Sequence, residues 1–169
     1  MNWYILYCLK WKMDKLVKQL NQHDGIDAFI PQLEYYRRDI DGYAYKPLFA
    51  NYVFVKASID QRSFDLLLSH MIEVRDDIIA QLKYEEVSAL REEEVRLLEQ
   101  LLDDSHVLRM SKAVLKENRA KVYEGPLKRF EKNIKKVDKH NRLAYLDIAF
   151  MNREIQAGLV ITGLSLIHI

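Results

Sequence analysis

Short β-prone runs alternate with helix-period segments along the first hundred residues, and this alternation limits the fold more than any other feature of the sequence. Trp3–Cys8 is apolar and aromatic and predicts a strand. Met13, Leu16, Val17 and Leu20 follow at i, i+3, i+4 and i+7, the stripe of an amphipathic helix, with Asp14 in its first turn and Gly25 placed to end it. Ile26–Pro31 predicts a second strand. Gln32–Tyr45 alternates around Asp41-Gly42, a dipeptide suited to the positive φ angles of a tight hairpin turn. After the strand expected at Tyr52–Lys56, Phe64, Leu67 and Leu68 mark a short helix that Asp60 can cap. Met71–Arg75 reads as another strand. A third helix is expected over Tyr84–Leu102, with Val87, Leu90, Leu97, Leu98 and Leu101 on its inner stripe and the glutamates toward water. Residues 1–104 therefore predict an α+β sandwich, helices covering an antiparallel sheet.

The charge balance changes at this point. Residues 1–104 carry 13 Lys and Arg against 19 Asp and Glu, a net −6; residues 105–169 carry 13 against 6, a net +7, although the whole chain is only +1. A chain split in this way suits a partner with one strongly charged surface, nucleic acid being the commonest, while ordinary solubility charge remains the alternative. Asp103–Lys112 reads as a linker, taken as 105–112. Beyond it, Arg119–Tyr123 and Leu143–Phe150 are β-like, and Glu124-Gly125-Pro126 marks a turn, spacing that fits a small barrel over 113–163.

At 169 residues and 49% apolar composition the chain can bury the core of one ordinary domain or two small ones. Its single cysteine, Cys8, rules out an internal disulfide and suits a reducing cytoplasm. The apolar run Trp3–Leu9 has its lysines after it, so no signal peptide is expected. The uncharged tail is shorter than the roughly 20 residues of a spanning helix, and no membrane partner is expected. His23, His70, His106, His140 and His168 are scattered, no phosphate-cradling or nucleophile-elbow motif occurs, and the carboxylates follow helix faces. Neither catalysis, a metal nor a cofactor is expected.

Three stretches carry a resemblance. "WYILYCLK" at Trp3–Lys10 and "KPLFANYVFV" at Lys46–Val55 resemble the N-terminal (NGN) domain of the NusG family of transcription elongation factors; "VYEGPLKRFE" at Val122–Glu131 resembles its C-terminal KOW domain, an SH3-like β-barrel. The first two look closer to specialised paralogues such as RfaH, and "HVLRMSKAV" with the basic stretch after it is most similar to LoaP-type antiterminators. Ala50-Asn51 stands where relatives have Pro-Gly, though Asn tolerates a left-handed turn. Gly125 is kept, whereas Glu117, Arg129 and Lys132 replace common glycines, which implies strain wherever positive φ is needed. "LSLIHI", Leu164–Ile169, matches what one frame of a transposon sequencing adapter encodes, and is expected to be non-native.

On strand alternation Tyr52 and Phe54 share one face while Val53 and Val55 share the other, so the aromatic face is either core or a bare docking patch. The resemblance implies the patch: Tyr7, Phe49, Tyr52 and Phe54 sit at positions that grip the clamp helices of the largest RNA polymerase subunit. It implies that the hairpin with Tyr35-Tyr36-Arg37-Arg38 reaches the opposite polymerase pincer; a merely solvated hairpin is the alternative. Lys10, Trp11, Lys12 and Lys15 are candidates for non-template DNA, by stacking and charge, or ordinary surface residues. Lys128, Arg129, Lys132, Lys135, Lys136, Lys139 and Arg142 crowd into fifteen residues and are candidates for a nascent RNA hairpin, or a solvated basic face.

These readings predict a monomeric, cytoplasmic, operon-specific elongation and antitermination factor. The alternatives are a general NusG factor whose KOW domain binds a termination factor or ribosomal protein, and a ribosome-associated KOW module. An RfaH-like refolding of the barrel into helices that mask Phe54 is compatible with the same residues.

Overall fold

The structure is a computed structural model and describes residues 1–71, 73–84, 87–88, 90–151 and 153–163. In chain order the first elements are β1 (Asn2–Cys8), α1 (Met13–Leu20), β2 (Ile26–Phe29), β3 (Gln32–Arg37), β4 (Gly42–Pro47) and β5 (Tyr52–Ala57). Then come α2 (Gln61–His70), β6 (Ile78–Tyr84), β7 (Val87–Ser88), α3 (Glu92–Leu101) and β8 (Val107–Leu108). The remaining strands are β9 (Ser111–Lys116), β10 (Arg119–Glu124), β11 (Ile134–Asp138), β12 (Leu143–Phe150) and β13 (Arg153–Ile161), with 3₁₀ turns at Lys10–Lys12, Arg75–Asp77 and Pro126–Asn133. The chain divides into two compact units: Met1–Pro31 with Pro47–Leu97, and Gln32–Lys46 with the chain from Leu98 onward. Among the described residues no helix is long and apolar enough to cross a membrane. The expected non-native tail, Leu164–Ile169, and with it His168, lies outside the described residues.

The first unit is a five-stranded sheet in the order β2-β5-β1-β6-β7. β1 runs antiparallel to β5, from Asn2↔Ala57 to Tyr7↔Tyr52. Pleating sends Tyr4, Leu6 and Cys8 of β1 and Val53, Val55 and Ala57 of β5 into one core with Leu16 and Leu20 of α1 and Phe64 of α2. Tyr4 stacks on Phe64 at 4.1 Å between ring centroids. Burial pushes the Cys8 thiol above its ordinary pKa, so it is packing and not a reactive thiolate. The stripe predicted for α1 is the buried one, and Asp60 caps α2 by accepting from the Ser63 N–H at 2.8 Å.

Two expected elements differ. Met71–Arg75 is not a strand: Met71 and Val74 are buried three residues apart, and the Val74 N–H donates to the Met71 carbonyl at 3.2 Å, a turn spacing instead of strand alternation. The strand starts only at Ile78. The third helix begins at Glu92, not Tyr84, because Tyr84 pairs with Val87 in the β6–β7 ladder. Glu92, Glu93 and Glu94 then occupy the first turn, where the helix dipole favours carboxylates, and Glu94 accepts from the Arg91 N–H at 3.2 Å.

In the second unit the predicted hairpin forms, β3 and β4, and β8 adds parallel to β3 at Gln32↔Val107 and Leu33↔Leu108. Only Asp41 of the turn dipeptide takes a positive φ, 45°; Gly42 does not. The stretch read as a linker, Asp103–Lys112, holds β8 and the start of β9. It is pinned by the Asp103 carboxylate, which accepts from the Ser105 and Val107 N–H groups, both at 2.9 Å, and from Arg109 Nε at 2.6 Å. Burial acts to raise this carboxyl, but Arg109 and the two N–H donors outweigh it and hold the pKa below the ordinary carboxylate range. Its contribution is therefore present above that range and is lost as pH falls through the depressed value.

The second sheet of this unit has the order β10-β9-β13-β12-β11, antiparallel except for β13 against β9. Ala113, Leu127, Leu146, Phe150, Ile155, Ala157 and Leu159 are buried within it. The described residues of 113–163 form strands and a 3₁₀ turn, not the helices of a masked form. Glu117 and Asn118, φ 53° and 64°, make the two-residue turn between β9 and β10, with Lys116 opposite Arg119. Positive φ is thus needed at Glu117 but not at Arg129 or Lys132, which lie in the 3₁₀ turn. Glu117→Gly is expected to stabilise the protein by about 0.5–1 kcal/mol, relief of left-handed strain exceeding the added chain entropy. A denaturation midpoint below that of the parent protein would contradict this.

Candidate functional site

The turn before β5 sets the register of the aromatic face. Asn51, φ 72°, donates from its side-chain amide to the Cys8 carbonyl at 3.0 Å, while the Cys8 N–H donates to the Asn51 carbonyl at 2.9 Å. Asn serves here where Gly is usual because its side chain supplies a hydrogen bond as well as tolerance of the left-handed region. Tyr7 and Tyr52 are consequently paired across β1 and β5, ring centroids 5.2 Å apart, and both are half-buried.

Phe49 and Phe54 do not lie bare as expected; they are 3% and 0% exposed. Alternation does turn Phe54 away from the Val53 and Val55 core, but that second face is buried too. Phe54 stacks on Phe49 at 5.9 Å and Phe29 at 6.0 Å, Phe29 meets Trp3 edge-on at 5.6 Å, and the Lys56 ammonium lies 4.7 Å from the Trp3 centroid. The strand period identified a face; it carried no information about whether anything covers it.

At the start of α1, Trp11 is 75% exposed. Lys12 and Lys15 both approach the Asp77 carboxylate, at 3.9 and 3.8 Å, which partly compensates their charge. Lys10 and Trp11 are the more available pair.

The hairpin is held within its own unit. Arg142 stacks its guanidinium 3.7 Å from the Tyr36 ring centroid and donates to the Tyr43 hydroxyl at 2.8 Å. Arg109 donates to the Tyr45 hydroxyl at 2.8 Å, and Glu34 accepts from the Met110 N–H at 2.8 Å. Of the Tyr35-Tyr36-Arg37-Arg38 stretch, Arg37 pairs with Asp39, Tyr36 donates to Asp41, and Lys46 covers the Tyr35 ring.

The seven basic candidates are not one surface. Lys132, Lys135, Lys136 and Lys139 line a groove of about 870 Å³. Lys128 and Arg129 instead border a separate hollow with Gly125, Glu99 and Gln100. Arg142 is the residue held by Tyr36 and Tyr43. Three further cations complete the groove and were missed by sequence reasoning: Lys116, Arg119 and Lys121. The available signal was strand alternation on either side of a Glu117-Asn118 turn, which places Arg119 and Lys121 on one face and Lys116 directly across from Arg119. Among the described residues no cluster of His, Cys, Asp and Glu is arranged to hold a metal.

Residues 1–99 match the family model described as Transcription termination factor nusG. With the sandwich of strands and helices over that span, the match defines a domain of the transcription elongation and termination factors. The chain belongs to the NusG family, whose members generally bind RNA polymerase. A search of curated proteins found no match.

Proposed function

We propose that the protein is an operon-specific elongation and antitermination factor of the specialised RfaH-like or LoaP-like kind, acting as a cytoplasmic monomer without a cofactor or catalytic step. In this reading residues 1–104 dock on the clamp helices of RNA polymerase, and 113–163 are the KOW barrel that holds nascent RNA. The observation that carries the docking role is the family match over 1–99 together with the half-buried Tyr7–Tyr52 pair on its sheet. Phe49 and Phe54 are buried and pack on each other, so they are not part of the exposed contact. Closing the clamp is a population shift, so the factor acts only through its differential affinity for closed over open polymerase. Lys10 and Trp11 extend the contact to non-template DNA.

Aromatic anchors at interfaces commonly contribute about 2 kcal/mol or more, so Tyr52→Ala is expected to weaken binding to the polymerase clamp at least about tenfold with the fold retained. Unchanged affinity with an unchanged circular dichroism spectrum would remove Tyr52 from the interface. The function as a whole is tested by transcription in vitro through terminators downstream of the protein's own operon leader, with and without the factor. Increased readthrough is expected; no change would sink antitermination. A general NusG whose C-terminal region binds a termination factor is the second reading, and the net +7 of residues 105–169 favours RNA over it.

A further inference from the structure

We infer that RNA is gripped in the gap between the two edge strands of the C-terminal sheet, β10 and β11, by cations from both sides, and that this groove reads phosphate backbone and not bases. The inference rests on the RNA-binding reading above and places its site on a different set of residues. One wall carries Lys116, Arg119 and Lys121 from β9 and β10; the other carries Lys132 from the 3₁₀ turn, Lys135 and Lys136 from β11, and Lys139 from the turn after it. These strands are the outermost members of the order β10-β9-β13-β12-β11, so among the described residues no further strand pairs along the gap.

Three observations support a ligand of phosphates. First, the charge is largely uncompensated within the groove: Glu131 is its only lining carboxylate, and Lys135 alone of the seven cations has an ion pair among the described residues, with Glu154 at 2.8 Å. Second, Lys116 and Arg119 are direct cross-strand partners, an arrangement of like charges that destabilises a hairpin and gains nothing from packing, since both side chains are exposed. Lysines on an edge strand also deter strand-to-strand aggregation, but that role does not call for two cations face to face. Third, the lining contains Leu115, Ile134 and Val137 but no aromatic ring. Readers of unpaired bases stack them on rings; a ringless cationic cleft holds the backbone by neutralising it. Any preference for one transcript must then come from residues outside the groove.

The test is binding of a fluorescein-labelled RNA stem-loop by the full chain across a salt series. The wild-type logarithmic salt slope is expected near −4, and the exposed triple substitution Lys116→Gln, Arg119→Gln, Lys121→Gln should flatten it by about two and weaken binding at least tenfold at physiological salt. Lys128→Gln with Arg129→Gln should stay within about threefold of wild type, as should the charge-keeping Lys116→Arg with Lys121→Arg, and the triple substitution should weaken stem-loops of permuted sequence by the same factor. A wild-type protein that binds no RNA overturns the RNA reading and the groove with it. Wild-type binding that survives the triple substitution, or is lost in the Lys128 and Arg129 variant, overturns the groove alone. A tenfold preference for one stem sequence that the triple substitution abolishes overturns backbone reading.

Discussion

Gly125→Ala is expected to destabilise the C-terminal unit by about 3 kcal/mol or more, strain in a glycine-only region adding to a steric clash. Gly125 has φ 103° and ψ 178°, a backbone conformation that side-chain-bearing residues scarcely visit. A Cβ there would stand 2.5 Å from Ser111 Oγ, 2.6 Å from Ser111 Cα and 2.9 Å from the Met110 carbonyl oxygen. Two of those atoms are backbone and cannot swing aside. Ser111 is fully buried, and its hydroxyl accepts from the Leu127 N–H at 3.0 Å, so displacing it also breaks the bond that starts the 3₁₀ turn. Denaturant unfolding, or amide exchange in β9 and β10, measures the effect. A change under about 0.5 kcal/mol would mean the turn adopts another conformation.

Phe54→Ala is expected to cost about 3–5 kcal/mol of folding stability, the range for emptying a buried aromatic site. The ring is fully buried and stacked against Phe49 and Phe29, so its removal leaves a cavity among these rings. This differs from a bare anchor, whose truncation would weaken polymerase binding and leave the fold intact. The two are separated by thermal denaturation of the protein alone: a large fall in the midpoint follows from burial, and an unchanged midpoint would restore the bare patch. For the same reason lost polymerase binding in this variant says little about contact, and Tyr52→Ala is the cleaner probe.

The resemblance in the first hundred residues and the family match over residues 1–99 agree. The resemblance did not reach the covering of Phe49 and Phe54. Crowding in the sequence grouped seven cations that the fold separates into a groove, a hollow by Gly125 and the Tyr36–Tyr43 cradle.

What the sequence determined by itself was whatever depends on neighbours within a few residues. The α1 stripe, the Asp60 cap, the Asp41 turn, the left-handed Asn51 and the alternation of Val53 and Val55 against Tyr52 and Phe54 all follow from local sterics and periodicity. Where local signals misled, a turn hydrogen bond from Val74 to Met71 replaced the expected strand, and the pairing of Tyr84 with Val87 replaced the expected start of the third helix. Only the tertiary structure decided what lies over a given face and which distant segments meet. Cations of Lys116–Lys121 and Lys132–Lys139 share a groove because these segments flank the two edge strands, and Arg142 reaches Tyr36 across a separation no periodicity encodes. Period fixes the direction of a side chain, but its surroundings depend on the path of the whole chain.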